Sequence, residues 1–265
     1  MTPAEATALA RQHLPGVDIE VLWDETWIRR VGPHYFPDPD MFAGEPKWER
    51  WGNQAEKHLR DAEDYWFYVY RPCPGDVIVD IGAGRGEDVF AFSRAAGQVI
   101  AIEPHPVNFL ALRKLCELNH LTNVTALNLA CVDRPAELQI ETLPVWESNY
   151  VREGPASPQS HPVKAVRFDT VCEDRRIGRI DYLKMNIEGA ERFALPGCRE
   201  ALSRTRFVTI AAHDFRAARG EGEEFRTLAF VREFLGNCGF RIVIRDRDPR
   251  YYVPYHVHGV RDPIQ

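Results

Sequence analysis

The sequence predicts an α/β protein built on a mostly parallel sheet of seven strands, with one antiparallel strand late in the chain. Three observations carry that expectation. Short apolar runs recur from about residue 76 onward, helical patterns separate most of them, and the last run follows its neighbour after only a short turn. Apolar runs alternating with helices of about 10–15 residues mark βαβ units and a sheet covered on both faces. A short link cannot carry a parallel crossover, so the last run is antiparallel.

The runs are VIVDIG (77–82), VIAIE (99–103), VTALNLACV (124–132), IDYLKMNI (180–187), FVTIAAH (207–213), FRIVIRD (240–246) and YYVPYHVHGVR (251–261). Helical patterns lie at about 87–96, 106–119, 190–203 and 224–237. Residues 142–162 hold Pro144, Pro155, Pro158 and Pro162, show little periodicity and read as a lid or surface loop.

Composition shifts near residue 75. Five of the six tryptophans (Trp23, Trp27, Trp48, Trp51 and Trp66) precede it. The expected division is an N-terminal extension or cap over 1–75 and a ligand-binding domain over 76–265. Within the extension, 3–13 and about 49–63 look helical, 32–46 reads as a Pro/Gly loop, and Tyr65 to Tyr70 is a candidate strand. This aromatic-rich, helical and irregular segment is expected to fold over the ligand mouth and build part of an acceptor pocket.

Bulk properties narrow the function. A net charge of -6 argues against a nucleic-acid or acidic-lipid partner. The six cysteines form no C-x-x-C pair, which fits free thiols in a reducing compartment. The first residues lack a basic start and an apolar stretch, and no run approaches a membrane span. The expectation is a cytoplasmic protein without a membrane partner.

The strongest local signal is Asp80-Ile81-Gly82-Ala83-Gly84-Arg85-Gly86, between a strand and a helix. Glycines there let the turn take positive φ and let backbone approach a ligand. The following helix offers unpaired N–H groups to a carboxylate. A nicotinamide site spaces its glycines G-x-G-x-x-G. Here they are Gly82, Gly84 and Gly86, with Asp80 two residues ahead, which suits a cofactor with an amino acid end whose ammonium Asp80 binds directly or through water. Glu103 ends the second strand about twenty residues on, where a carboxylate grips both hydroxyls of a ribose. The third strand ends at Ala130, Cys131, Val132 and Asp133, beside the expected position of a base. Backbone groups of Ala130 and Cys131, with the side chain of Asp133 or Asn128, are the candidates to read it.

The acceptor is expected beyond the ends of the fourth and fifth strands. Alternation puts Lys184, Asn186 and Glu188 on one face. Asn186 falls nearest the reacting centre. Glu188 and Glu191 open a helix, where acids are favourable without any catalytic role. His213 ends the fifth strand and has the intrinsic pKa of a base for a hydroxyl, or else caps the strand end. Glu188, His213 and Asp214 together have the chemistry of metal ligands but no spacing signature, and His256 and His258 read as packing. No metal is expected.

These blocks resemble the FkbM family of methyltransferases: Asp80–Gly86, then Glu103-Pro104-His105-Pro106-Val107-Asn108-Phe109, then Leu183-Lys184-Met185-Asn186-Ile187-Glu188-Gly189-Ala190-Glu191. The likeness spans about residues 75–260. It implies a class I, Rossmann-like methyltransferase fold and S-adenosylmethionine as donor, leaving S-adenosylhomocysteine. It further implies O-methylation of a hydroxyl on a sugar, glycan or other small natural product. By that resemblance Gly82, Ala83, Gly84, Glu103, Pro104, Asn108, Ala130, Cys131 and Asn186 join Asp80 around the cofactor, and Asn186, Glu188 and His213 are the catalytic candidates. Asn186 stands where that family commonly carries Asp. An amide keeps the hydrogen bonding and loses the charge, which weakens a metal or base role there. N- or C-methylation and a non-catalytic cofactor-binding scaffold are the alternatives. Oligomeric state, a homo-oligomer included, is not fixed by these motifs.

Overall fold

In the computed structural model, residues 1–141, 151–152 and 157–261 are described. The chain opens with helix α1 (Pro3–His13), whose start is written in the sequence. The Thr2 hydroxyl accepts from the Glu5 N–H, and the Glu5 carboxylate accepts from the Thr2 N–H at 2.7 Å. Ala6 and Ala10 of α1 pack against Ile19 and Val21 of β1. Strands β1 (Ile19–Asp24), β2 (Thr26–Val31) and β3 (His34–Pro37) form an antiparallel sheet of their own. Helix α2 (Gln54–Asp61) runs into a π-helical turn over Ala62–Trp66.

Two expectations fail in this segment. The Pro/Gly stretch 32–46 contains β3, and Tyr65 to Tyr70 is not a strand. The buried residues are Ala62, Trp66, Phe67 and Tyr70, a helical rather than an alternating spacing. Tyr70 stacks on Tyr182 at 4.9 Å, and the Trp66 carbonyl accepts from the hydroxyls of Tyr182 (2.6 Å) and Thr209 (3.2 Å). Side chains of the central sheet thus satisfy this backbone, and no ladder partner is needed.

The remaining elements follow in order: β4 (Val77–Ile81), α3 (Glu87–Ala95), β5 (Gln98–Ile102), α4 (Pro106–Leu118), β6 (Val124–Leu127), β7 (Ala130–Cys131), β8 (Ala136–Glu141), β9 (Val151–Arg152), β10 (Ser160–Val166), α5 (Phe168–Asp174), β11 (Ile180–Met185), α6 (Glu191–Ala194), α7 (Arg199–Ser203), β12 (Thr205–Ala211), α8 (Asp214–Ala218), α9 (Leu228–Asn237), β13 (Arg241–Val243) and β14 (His256–Val260). The main sheet has seven strands in the order β13-β14-β12-β11-β4-β5-β6. β14 runs antiparallel to both neighbours, and the other described pairs are parallel. Val79, Ile81, Ile100, Leu183, Met185 and Ile210 fill one core on a face of this sheet. Ile78, Val99 and Tyr182 fill a second, against Trp66, Phe67, Tyr70 and Phe92.

The expected third strand divides. Residues 124–127 stay in the main sheet, and β7 leaves it for a smaller sheet of order β7-β10-β8-β9. Asn128 fixes the departure by donating to the carbonyls of Glu103 (2.9 Å) and Pro104 (3.0 Å). The expected loop over 142–162 ends inside β10, and much of it lies outside the described residues. The helical pattern at 190–203 is α6 and α7 joined by a 3-10 turn over Leu195–Cys198, which contains Pro196.

Candidate active site

A cavity of about 910 Å³ opens where β4, β5 and β11 end. This is the end of a parallel sheet at which ligands bind, and the volume suits a cofactor-sized molecule. The Gly82–Gly84 turn forms one wall, Glu103, Pro104 and Asn108 a second, and Ala130 to Arg134 a third. Asn186 to Ala190, Phe193, Arg216 and Phe225 close the far end, while Leu138 and Ile140 of β8 reach in from the small sheet.

Gly82 makes the turn possible. Its φ is +82°, and a Cβ there would stand 2.1 Å from the Asn186 carbonyl oxygen. Only glycine fits that approach. The Asn186 N–H donates to the Ile81 carbonyl at 3.0 Å, so the loops after β4 and β11 are locked together at the floor of the cavity. Asn186 Oδ1 is buried and accepts no hydrogen bond among the described residues.

Behind the turn lies a buried charge cluster. Lys184 Nζ sits 2.8 Å from Asp80 Oδ1 and 3.3 Å from Asp88 Oδ2, and it donates to the Gly82 carbonyl at 3.1 Å. Burial pushes the Asp80 carboxyl above the ordinary aspartate range, against the pull of Lys184. Burial works against the Lys184 charge too, but Asp80 and Asp88 outweigh it and hold the ammonium protonated. Asp80 is fully buried and does not line the cavity. The structure therefore gives it an ion pair with Lys184 where the sequence suggested a ligand contact.

Glu103 is turned toward the glycine loop. Oε2 accepts from the Gly84 N–H at 2.8 Å, and Oε1 accepts from the His105 N–H at 2.9 Å. Burial pushes its carboxyl up to about 7, against those hydrogen bonds. Asn108 Oδ1 lies 3.4 Å from Arg85 Nε, and Arg85 pairs with Asp38 and Asp40, just past β3.

At the far end Glu188 adopts φ +52°, a left-handed conformation that costs a non-glycine residue about 1 kcal/mol or more. Its carboxylate is gripped on both oxygens, by His213 Nε2 at 3.0 Å and by Arg216 at 2.7 Å. Burial raises the Glu188 carboxyl, but these two cations outweigh it and leave the group below the usual range. His213 Nδ1 faces Glu191 Oε1 at 3.4 Å, an ion-pair rather than a hydrogen-bond contact. Burial disfavours the His213 cation, yet the two carboxylates prevail and push the imidazole up to about 10. It is thus an imidazolium at neutral pH, not the free base the sequence suggested, and it does not line the cavity. Asp214 accepts from the N–H groups of Thr227 and Leu228, at the start of α9.

Of the sequence candidates, Gly82, Ala83, Gly84, Glu103, Pro104, Asn108, Ala130, Cys131, Asn186 and Glu188 line one cavity, and Asp80 and His213 stand directly behind its walls. No described residue before Ile81 lines it. The N-terminal segment meets the glycine loop from outside, where Asp38 and Asp40 pair with Arg85. Sequence reasoning missed Asp88, Arg216, Phe193, Leu138 and Ile140. Asp88 carried a signal, as an acid in the first helical turn after the glycines. The others arrive from three separate elements, Phe193 from α6, Arg216 from α8, and Leu138 and Ile140 from β8.

A model of the methyltransferase FkbM domain matches residues 80–242. The chain belongs to the FkbM methyltransferase family. This FkbM methyltransferase is an S-adenosylmethionine-dependent enzyme, and its seven-stranded sheet is of the α/β class. It is 26% identical over 170 residues to the 2-O-methyltransferase NoeI of Sinorhizobium fredii, covering 56% of this chain and 68% of that protein. It is 26% identical over 210 residues to the 31-O-demethyl-FK506 methyltransferase FkbM of Streptomyces tacrolimicus, covering 67% of this chain and 77% of the relative. Among solved structures it is similar to magnesium protoporphyrin IX methyltransferase from Synechocystis PCC 6803, at 15% identity and a TM-score of 0.46, covering 83% of this chain and 86% of the other. Among the described residues of this FkbM methyltransferase, no helix is long and apolar enough to cross a membrane.

Proposed function

We propose that this enzyme methylates a hydroxyl oxygen of a small natural product or a sugar. The observation that carries the reading is Glu188, a carboxylate in a left-handed backbone conformation on the cavity wall, fixed by His213 and Arg216 two residues after Asn186, whose amide oxygen has no partner among the described residues. The two curated relatives support it, because both are named for transfer to, or restoration at, an oxygen position.

The residues present fit the donor. The cavity is of cofactor size, Gly82 leaves room that a side chain would fill, and Glu103 offers a carboxylate to a diol. In this reading Gly82, Ala83, Gly84, Glu103, Pro104, Asn108, Ala130 and Cys131 hold S-adenosylmethionine. Bound there, it supplies an electrophilic methyl group on a good leaving group, which is transferred in line.

The protein then has to align the hydroxyl and exclude water. Asn186 Oδ1 accepts a hydrogen bond from a second donor of the acceptor molecule, and Glu188 takes the proton of the reacting hydroxyl as the new C–O bond forms. A carboxylate of lowered pKa suffices, because the oxygen becomes strongly acidic once it carries the methyl group. His213 and Arg216 are positioning residues that hold Glu188 at the wall. Phe193, 63% exposed, gives the mouth an apolar face for the body of the acceptor.

The test uses methyl-labelled S-adenosylmethionine with pooled sugars and hydroxylated natural products, and mass spectrometry of the labelled product. An ether product supports the reading; label only on nitrogen or carbon overturns it. Asn186 gives the nitrogen outcome its specific basis, since its free amide oxygen can orient an N–H as well as an O–H.

A further inference from the structure

We propose that Asp88, not the motif acid Asp80, binds the ammonium group of the donor's amino acid end, with Lys184 as the residue that positions Asp88. This rests on reading the cavity as the donor site. The glycine loop leads straight into α3, and Asp88 is the second residue of that helix. It lines the cavity, and its side chain keeps 24% of its exposure. Its ion pair with Lys184 uses Oδ2, and Oδ1 has no partner among the described residues. Asp80 is the reverse case: its side chain is fully buried, absent from the cavity wall and 2.8 Å from Lys184.

Lys184 cannot take the ligand's carboxylate, because its three donors already face Asp80, Asp88 and the Gly82 carbonyl. Its ammonium ties the strand end, the turn and the first turn of α3 into one unit, with the Trp66 ring 5.0 Å away on another side. Glu87, the other acid of that helical turn, also lines the cavity, but it interacts with Arg29 of β2. Asp88 is left as the carboxylate on the cavity side of the cluster, able to receive a cation. One carboxylate of the cluster thus neutralises Lys184, and the other is shared between Lys184 and the ligand.

The experiment is calorimetric binding of two ligands that differ only at this end. S-adenosylhomocysteine carries the amino acid; methylthioadenosine has a methyl group in its place. Asp88→Asn should weaken S-adenosylhomocysteine about tenfold or more, the scale of one charge-assisted hydrogen bond, and leave methylthioadenosine within about twofold. Asp88→Glu, which keeps the charge, should recover part of the loss. Asp80→Asn should weaken both ligands alike and lower the melting temperature, because it unpairs a buried lysine. Equal loss of both ligands in Asp88→Asn, or no loss of either, overturns the assignment. Wild-type protein that binds neither ligand overturns the donor-site reading itself, a distinct failure.

Discussion

His213 Nε2 lies 3.0 Å from Glu188 Oε1, while its other ring nitrogen faces Glu191, so the imidazole is clamped between two carboxylates that bracket the turn after β11. A histidine in that position is a fixed charge. It draws together β12, which it follows, and the loop that presents Glu188 to the cavity.

The pH dependence follows from that clamp. Folding raises the imidazole from its ordinary 6.5 to about 10, so the cation favours the folded state. Its stabilisation is fully present below about pH 6.5 and is lost as pH rises through about 10. Urea midpoints of wild type should therefore fall toward those of His213→Gln across this window. In NMR spectra the His213 ring should show no titration between about pH 5 and 8.

Glu188→Gln removes the proton acceptor and keeps the shape. We expect kcat to fall by about 100-fold or more, the usual range for a positioned acid–base group. S-adenosylhomocysteine affinity should stay within about threefold, because the change lies at the acceptor end. Parallel turnover and calorimetry separate the two effects; an equal loss in both would assign Glu188 to donor binding.

Glu103 should make donor affinity pH-dependent. Burial holds its carboxyl at about 7, and a diol is best gripped by the ionised form. Affinity for S-adenosylhomocysteine should rise between about pH 6 and 8. In Glu103→Gln it should be flat and weaker by about tenfold, the worth of a charged hydrogen bond. Calorimetry at fixed ionic strength across that range reads both.

Gly82→Ala should be destabilising by about 2 kcal/mol or more, from left-handed strain and from the clash with the Asn186 carbonyl. Denaturant unfolding measures the first effect. Donor binding should fall as well, since relief of the clash has to separate the two loops that form the cavity floor.

The sequence was legible where the chemistry is local. Apolar runs of β4, β5, β11 and β12 and the turn Gly82–Gly86 announce themselves, because a buried parallel strand needs continuous apolar residues and a tight turn needs glycine. Where a segment's state depended on distant partners, pattern reading failed. Tyr65 to Tyr70 looked like a strand by its aromatic content, but it leaves a π-helical turn that ends at Trp66, whose carbonyl accepts from Tyr182 and Thr209. β7 looked like the tail of β6 until β10 claimed it.

The sequence by itself determined the parallel sheet, the glycine loop and the cavity residues nearest the strand ends, such as Gly82, Glu103 and Asn186, because each depends on spacing within one strand–turn–helix unit. Tertiary structure alone decided the charge states and the true facing of each acid. Asp80 and His213 look like ligand and base as isolated residues. Lys184 turns the first inward, and Glu188 with Glu191 favours the cationic form of the second, because a buried ionisable group takes its character from whichever charge the fold places beside it.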